Sequence, residues 1–207
     1  MLPFTTDITH SCVCSCGKVI HRSSSGNLEI SSFTSLSESD SLLQPGTTGS
    51  WKGQAFTVKG RFRIWLEEAV LNYWTVTFDS GGWALLEEGY GLFTMMQETA
   101  VPESMTGKRI GELKLSSEFK TEEGALFYLQ EKNAGVNIEV EKEAFLPITK
   151  GRVMLSDFAS ESSGTMSIIE WQEKVKTAYT TQSSSFHDFN FKNFRAVSFY
   201  RKEYLLR

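Results

Sequence analysis

Histidine, proline and cysteine are scarce in this chain of 207 residues, which contains three histidines, four prolines and three cysteines. Basic residues are also in the minority: 21 lysines and arginines stand against 25 acidic residues, for a formal charge of −4. Such a chain lacks the cationic surface with which proteins neutralise nucleic-acid phosphates. Its apolar runs break off well before the roughly 20 residues that a membrane-spanning helix needs. We therefore expect no nucleic-acid partner and no membrane span.

The beginning of the chain also lacks the features of an export signal. No lysine or arginine precedes Lys18, and the same stretch holds no continuous apolar run. All three cysteines lie within five positions of one another, and an odd number so closely spaced does not suit a disulfide framework. These absences predict a cytoplasmic protein.

Apolar residues make up 40% of the chain and aromatic residues 13%, which is enough to bury a sizeable core. Three stretches differ in composition. Residues 1–43 hold the cysteines and then a serine-rich linker, residues 44–101 are dense in aromatic and β-branched side chains, and residues 102–207 hold shorter alternating runs. We predict an N-terminal segment followed by two β units, the second packed on the first.

Between residues 51 and 98 the apolar residues recur with the two-residue period of half-buried strands. The clearest turn between two such strands is residues 79–82 (DSGG), because glycine accepts the positive φ that tight hairpins require. Residues 88–91 (EGYG) provide a second turn. This spacing predicts a β-meander of about four strands.

After Pro102 short alternating runs follow one another at intervals of roughly ten residues, as in sandwiches and barrels. They predict strands at residues 108–115, 125–130, 136–145, 151–158, 165–171, 175–181 and 186–195. Residues 168–179 fit either a helix or two strands that turn at Gln172-Glu173, and the basic end of the chain, residues 194–207, favours a last strand. We predict a mainly β fold of two consecutive antiparallel β-meander units, forming small barrels or a sandwich, with little helix.

Residues 44–98 carry a resemblance to a known family. The sequence opens with P-G-T-x-G and K-G-Q-x-F, and an N-Y-W strand, a W-x-L-x-E strand and G-Y-G follow in order. In this order the motifs resemble the domain-of-unknown-function 4178 family. Residues 102–207 resemble it only in the succession of strands and turns. Across the predicted hairpin, we expect Trp74 and Trp83 to form a cross-strand aromatic pair.

The resemblance implies an accessory or adaptor role in a prokaryotic cell, since the family has no assigned activity and some members are encoded near polyamine-synthesis genes. Some relatives also carry a small zinc ribbon of paired cysteines ahead of the β domain. Cys16-Gly17 matches the end of one such cysteine knuckle, but Val13 stands where its first cysteine belongs and no second pair follows. By resemblance, the N-terminal segment is a degenerate zinc ribbon.

The cysteine cluster nevertheless offers zinc ligands, and zinc is the candidate cofactor. Tetrahedral zinc prefers four thiolate and imidazole ligands. The chain can supply that number with Cys12, Cys14 and Cys16 together with either His21 or His10. In an extended strand these cysteines share one face, but the outer two reach one ion only if the chain bends. Three readings stay open: a zinc site within one chain, zinc shared between two chains, and free or buried thiols.

No arrangement of residues in the sequence indicates catalysis. His187-Asp188 fits a turn, and adjacent acidic residues place their side chains on opposite faces of a strand. No glycine-rich loop opens a helix, as phosphate-binding sites require. We predict that the protein is not an enzyme.

The function that we favour is a protein-interaction or scaffold module whose partner is another protein. Such a module binds through an exposed strand edge or an aromatic patch. The candidate patch residues are Trp51, Trp65, Tyr73, Trp74 and Tyr90.

The alternative is a small-ligand-binding or accessory enzyme protein in polyamine-related metabolism, a context that comes from the family resemblance. Because polyamines are cations, this function needs a concave pocket lined by acidic side chains. The candidates are Glu67, Glu68, Glu87 and Glu88. An interior filled by side chains would argue against this alternative.

Overall fold

The structure, a computed structural model, describes residues 9–23, 26–36, 41–146, 148, 150–172 and 175–195. Strands dominate it, which confirms the predicted mainly β fold. The strands are β1 (Ser11–Val13), β2 (Val19–Arg22), β3 (Leu28–Ile30), β4 (Thr34–Ser35), β5 (Thr48–Trp51), β6 (Gln54–Trp65), β7 (Val70–Phe78), β8 (Trp83–Gly89), β9 (Leu92–Thr99), β10 (Glu118–Lys120), β11 (Leu126–Glu141), β12 (Glu143–Ala144), β13 (Gly151–Ser160), β14 (Gly164–Glu170) and β15 (Lys176–Ser184).

Helical structure is short. The helix α1 spans Glu103–Thr106, and 3-10 turns span Ile110–Glu112 and Phe186–Phe189. Within the described ranges, no helix has the length and apolar character needed to cross a membrane.

Eight strands close into an antiparallel barrel. Around the ring they follow the order β6, β7, β8, β9, β15, β14, β13 and β11, and β11 pairs with β6 to complete it. Strands β6–β9 form the predicted meander, and β13–β15 form a second one. The two meanders share one sheet because β9 pairs with β15 at one junction and β11 with β6 at the other. A separate antiparallel sheet holds β12, β1, β2 and β3.

Side-chain alternation along the strands produces an inner core and two outer clusters. The inner core includes Phe62, Ile64, Leu71, Tyr73, Leu85, Met96, Val153, Leu155, Ile169 and Tyr179. On one outer flank, Phe189 from the segment after β15 belongs to a cluster with Trp74 of β7. On the other flank, Phe119 of β10 packs against Phe158 of β13 with 4.9 Å between ring centroids. Since both sides of many strands are covered, a strand such as β7 is buried along most of its length.

The seam between β6 and β11 closes the barrel and carries charged pairs. Arg61 is fully buried, and its Nε donates to the Glu141 carboxylate at 2.8 Å. Its guanidinium lies 4.7 Å from the centre of the Trp74 ring. Arg63 and Glu139 are cross-strand partners with 3.6 Å between Nη1 and Oε2. Opposite charges in register therefore specify the pairing of two strands that lie far apart in the sequence.

Residues 168–179 form strands rather than the alternative helix. Strand β14 ends at Glu170 and β15 begins at Lys176, and the two pair antiparallel. Glu173 of the predicted turn lies outside the described residues, as do residues 196–207 of the predicted last strand.

The predicted pairing of Trp74 with Trp83 is wrong. Trp74 lies opposite Leu86, and Trp83 lies opposite Thr77. The turn sets this register, since the Phe78 N–H donates to the Gly82 carbonyl at 3.2 Å. The indole of Trp83 packs against the inner core, whereas that of Trp74 belongs to an outer cluster.

Two of the predicted strands after Pro102 are also wrong. Residues 108–115 contain the 3-10 turn Ile110–Glu112, and residues 186–195 begin with the 3-10 turn Phe186–Phe189. The second turn has a capping box in which the Ser185 and Asp188 side chains each bond to the other's backbone N–H. This local hydrogen bonding competes with strand formation.

Candidate functional site

A cavity of about 370 Å³ opens at one end of the barrel. Strands β7, β8, β9, β11, β13, β14 and β15 all contribute side chains to its wall. Its carboxylates are Glu87, Glu131 and Asp157, and no lysine, arginine or histidine of the described residues lines it. The barrel interior is therefore partly open, and the open part is acidic.

The register of the strands explains why these polar groups meet. Glu87 of β8 lies directly opposite Tyr73 of β7. On the facing wall, Asp157 of β13 lies between Glu131 of β11 and Ser167 of β14. Because side chains of cross-strand partners point to the same face, both sets project into the barrel.

Hydrogen bonds and stacking hold this polar group in place. The Tyr73 hydroxyl donates to the Glu87 carboxylate. The Ser167 hydroxyl donates to Asp157. The ring of Phe62 lies parallel to that of Tyr73, with 5.0 Å between centroids, so the tyrosine is oriented from the core side.

The cavity makes ionisation of its acids unfavourable. Burial, and then the charge of Asp157, raise the pKa of Glu87 to about 7, although the Tyr73 hydrogen bond opposes the rise. Burial also raises the pKa of Asp157, and the charge of Glu131 adds to the effect. The Asp157 side chain remains accessible to water through the cavity, although protein surrounds it on most sides. The described lining offers these two acids no basic side chain that would favour their ionised form.

The remaining wall is largely apolar. Leu71, Met96 and Ile169 of the inner core line the cavity, and the exposed side chains of Tyr90 and Leu92 lie at its edge. Acidic groups beside apolar walls suit a ligand that is itself both cationic and apolar.

Two hydroxyls inside the barrel have no hydrogen-bond partner among the described residues. They belong to Tyr179 and Thr75, and both residues are fully buried. Thr177 is the side chain nearest to interacting with the Tyr179 hydroxyl, and its own hydroxyl accepts from Trp171 Nε1 at 3.1 Å. Neither Tyr179 nor Thr75 is among the residues that line the cavity.

Of the predicted acidic candidates, only Glu87 lines the cavity. Glu88 points to the outer side of the barrel, where its carboxylate accepts from Trp74 Nε1 at 2.8 Å and from Ser41 at 2.6 Å. Glu67 and Glu68 are exposed in the connection between β6 and β7. The sequence reading missed Asp157 and Glu131, because only the register of β11, β13 and β14 brings them to Glu87.

The five predicted interaction residues do not form one surface patch, because three of them are buried. Trp51 stacks on Phe189, Trp74 lies under Arg61, and Tyr73 faces the cavity. The two exposed members, Trp65 and Tyr90, lie at the end of β6 and in the turn after β8.

The predicted zinc ligands are not brought together. Cys12 is opposite Ile20 and His21 is opposite Ser11, so Cys12 and His21 lie on opposite faces of the small sheet. Strand β1 ends before Cys14, which begins a turn that exposes Cys16. Among the described residues, no three histidine, cysteine, aspartate or glutamate side chains are placed to bind one metal ion.

The three thiols are expected to differ in reactivity. Burial, and then the charge of Glu143, raise the pKa of Cys12 to about 11, whereas hydrogen bonds from Cys16 lower the pKa of Cys14. Because the thiolate is the reactive form, Cys14 should react rapidly with a disulfide reagent and Cys12 only after unfolding. Cys16 should also react rapidly, because its side chain is exposed. The measurement is a thiol titration with metal analysis of the same sample. One zinc per chain with all three thiols protected would contradict this expectation.

Comparisons of the chain with models of known protein families, with curated protein sequences and with solved structures find no match. The resemblance of residues 44–98 to the domain-of-unknown-function 4178 family therefore stays a prediction.

Proposed function

We propose that this protein is a non-catalytic binding module that holds a small organic cation in the acidic cavity of its barrel. The observation that carries the proposal is the convergence of Glu87, Asp157 and Glu131 on one cavity that no basic side chain of the described residues lines. A ligand cation would supply the missing positive charge next to the half-buried Glu87 and the exposed Asp157 and Glu131.

The shape of the site favours an organic cation over a bare metal ion. The carboxylates lie on facing walls, on β8 and on β11 and β13, and no group of three such side chains in the described ranges has the geometry of a metal site. A metal ion requires its ligands within about 2.6 Å. An ammonium group attached to an apolar chain can contact the carboxylates and also cover Leu71 and Met96.

The cavity supports the ligand-binding alternative more than the protein-interaction role. Three of the five predicted interaction residues, Trp51, Tyr73 and Trp74, are buried and cannot contact another protein directly. An amine as ligand agrees with the polyamine context that the family resemblance implies.

The test compares two probes with the same pentyl chain, the cationic pentylammonium and the neutral 1-pentanol, by calorimetric titration at pH 8. We expect saturable binding of pentylammonium and at least tenfold weaker binding of 1-pentanol, since the alcohol leaves the carboxylates unpaired. Glu87→Gln and Asp157→Asn should each weaken pentylammonium binding at least tenfold. The matched control is Glu68→Gln, which removes an exposed carboxylate outside the cavity and should bind as the wild type does.

Equal binding of both probes, or the same loss in Glu68→Gln as in Glu87→Gln, would contradict the proposal. In the first case apolar contact alone accounts for binding, and in the second the net charge of the chain accounts for it.

A further inference from the structure

The loop between β1 and β2 places two thiols side by side. Cys14 precedes the loop residues Ser15, Cys16 and Gly17, and Lys18 follows them. The Gly17 N–H donates to the Cys14 carbonyl at 2.9 Å, and the Cys14 N–H donates to the Lys18 carbonyl at 2.8 Å. With Gly17 at a φ of 80°, these bonds are typical of a type I turn followed by a residue with positive φ. The chain therefore bends between the two cysteines.

This bend brings the sulfur atoms of Cys14 and Cys16 within reach of each other. Disulfides join residues whose Cα atoms lie about 4.4 to 6.8 Å apart. Residues two apart in an extended strand lie about 6.5 to 7 Å apart, at the upper end of that range, and a turn shortens the separation. The Cys14 sulfur accepts hydrogen bonds from the Cys16 backbone N–H and from the Cys16 thiol. The turn that carries both residues away from Cys12 thus keeps their two thiols together.

The two thiols differ in the way that disulfide exchange requires. Cys14 occupies the first position of the turn, where a side chain can accept a hydrogen bond from the N–H two residues later. Hydrogen bonds to the sulfur favour the thiolate, which is the attacking form. Cys16 is exposed and Cys14 is half-buried, so a small molecule can reach both, whereas Cys12 is fully buried. Cys14 is therefore placed to attack and Cys16 to resolve.

We infer that Cys14 and Cys16 form a reversible intrachain disulfide by exchange with a small-molecule disulfide. The Cys14 thiolate attacks one sulfur of that disulfide, so a mixed disulfide forms and one thiolate leaves. The Cys16 thiol then loses its proton to solvent, and its sulfur attacks the Cys14 sulfur and releases the second thiolate. The dithiol is oxidised by two electrons, and the external disulfide is reduced to two thiols. These take up the two protons that the cysteines give up.

This site is separate from the proposed amine site. None of the residues 14–18 lines the barrel cavity, and the loop belongs to the small sheet of β12, β1, β2 and β3. The inference therefore goes beyond the proposed function, and the failure of either one leaves the other standing.

The experiment treats the reduced protein with excess glutathione disulfide at pH 7 in the absence of oxygen. We expect two glutathione thiols released per chain and a protein mass lower by two hydrogens. Cys16→Ser should stop at a glutathione adduct on Cys14. Cys14→Ser should react severalfold more slowly, because the hydrogen-bonded thiolate is gone. The matched control is Cys12→Ala, which removes the buried thiol and should give the wild-type products. Since the chain has three cysteines, an intrachain disulfide in this variant can join only Cys14 to Cys16.

Three results would overturn the inference. Wild-type protein that carries two glutathione adducts and no intrachain disulfide would show that the two thiols do not reach each other. Loss of the disulfide in Cys12→Ala would make Cys12 one of its partners. Equal reaction rates of Cys14→Ser and Cys16→Ser would contradict the assignment of Cys14 as the attacking thiol.

Discussion

Replacing Gly60 with alanine is expected to lower the free energy of unfolding by at least about 3 kcal/mol. Gly60 lies in β6 at a shift of register, next to the seam where the barrel closes. A Cβ atom there would lie 2.2 Å from the backbone nitrogen of Glu143 and 2.4 Å from the Glu141 carbonyl oxygen. Since both neighbours are backbone atoms, the clash is relieved only if β6 moves away from β11 and β12.

The measurement for Gly60→Ala is urea unfolding, with Gly107→Ala as the matched control. Gly107 has a φ of −87° and no atom within 4 Å of an added Cβ. Its replacement should change stability by less than about 0.5 kcal/mol. A Gly60→Ala variant as stable as the control would show that β6 and β11 do not approach each other as described.

Replacing Glu87 with glutamine is expected to stabilise the protein at pH 8 by about 2 kcal/mol. The pKa of Glu87 is raised from 4.5 to about 7, mainly by burial. Between these two pH values the unfolded chain has lost the proton and the folded protein still holds it. Stability contributed by this group is therefore complete below pH 4.5 and is lost as the pH rises through about 7. Water in the cavity reduces the full effect of the shift.

Glutamine mimics the protonated acid and can still accept the hydrogen bond from Tyr73. Unfolding at pH 8 and at pH 4 should show the stabilisation at the higher pH and almost none at the lower. Glu68→Gln, in the exposed connection after β6, should show no such difference. Destabilisation by Glu87→Gln at pH 8 would mean that the carboxylate has an unseen positive partner.

The expected effects of Glu87→Gln on stability and on amine binding together bear on function. The same substitution is expected to improve stability and to impair amine binding. A charged group that costs stability in the free protein and gains a partner only on binding is typical of a functional site.

Local patterns predicted most of the strands. The two-residue period and the glycines of residues 79–82 correctly indicated β7, β8 and the hairpin between them. They did not indicate that β11 returns to β6, because that pairing depends on contacts such as Arg61 with Glu141, 80 positions apart. The error in pairing Trp74 with Trp83 has a similar origin, since register depends on the turn geometry.

The candidate site was predictable only in part. The alternative function required an acidic pocket and named Glu87 among its four candidate acids, but the partners of Glu87 come from the other meander. Asp157 reaches the cavity because β13 and β8 face each other across the closed barrel. The cysteines show the opposite case, since adjacency in sequence suggested a shared metal, and the turn that begins at Cys14 separates them.

The most direct test of the central proposal is a crystal structure of the protein grown with pentylammonium at pH 8. We predict the nitrogen of the amine inside the barrel, within hydrogen-bonding distance of Glu87 and Asp157, with its alkyl chain against Leu71 and Met96. An amine bound only on the outer surface, or a cavity filled by water at saturating amine, would contradict the account.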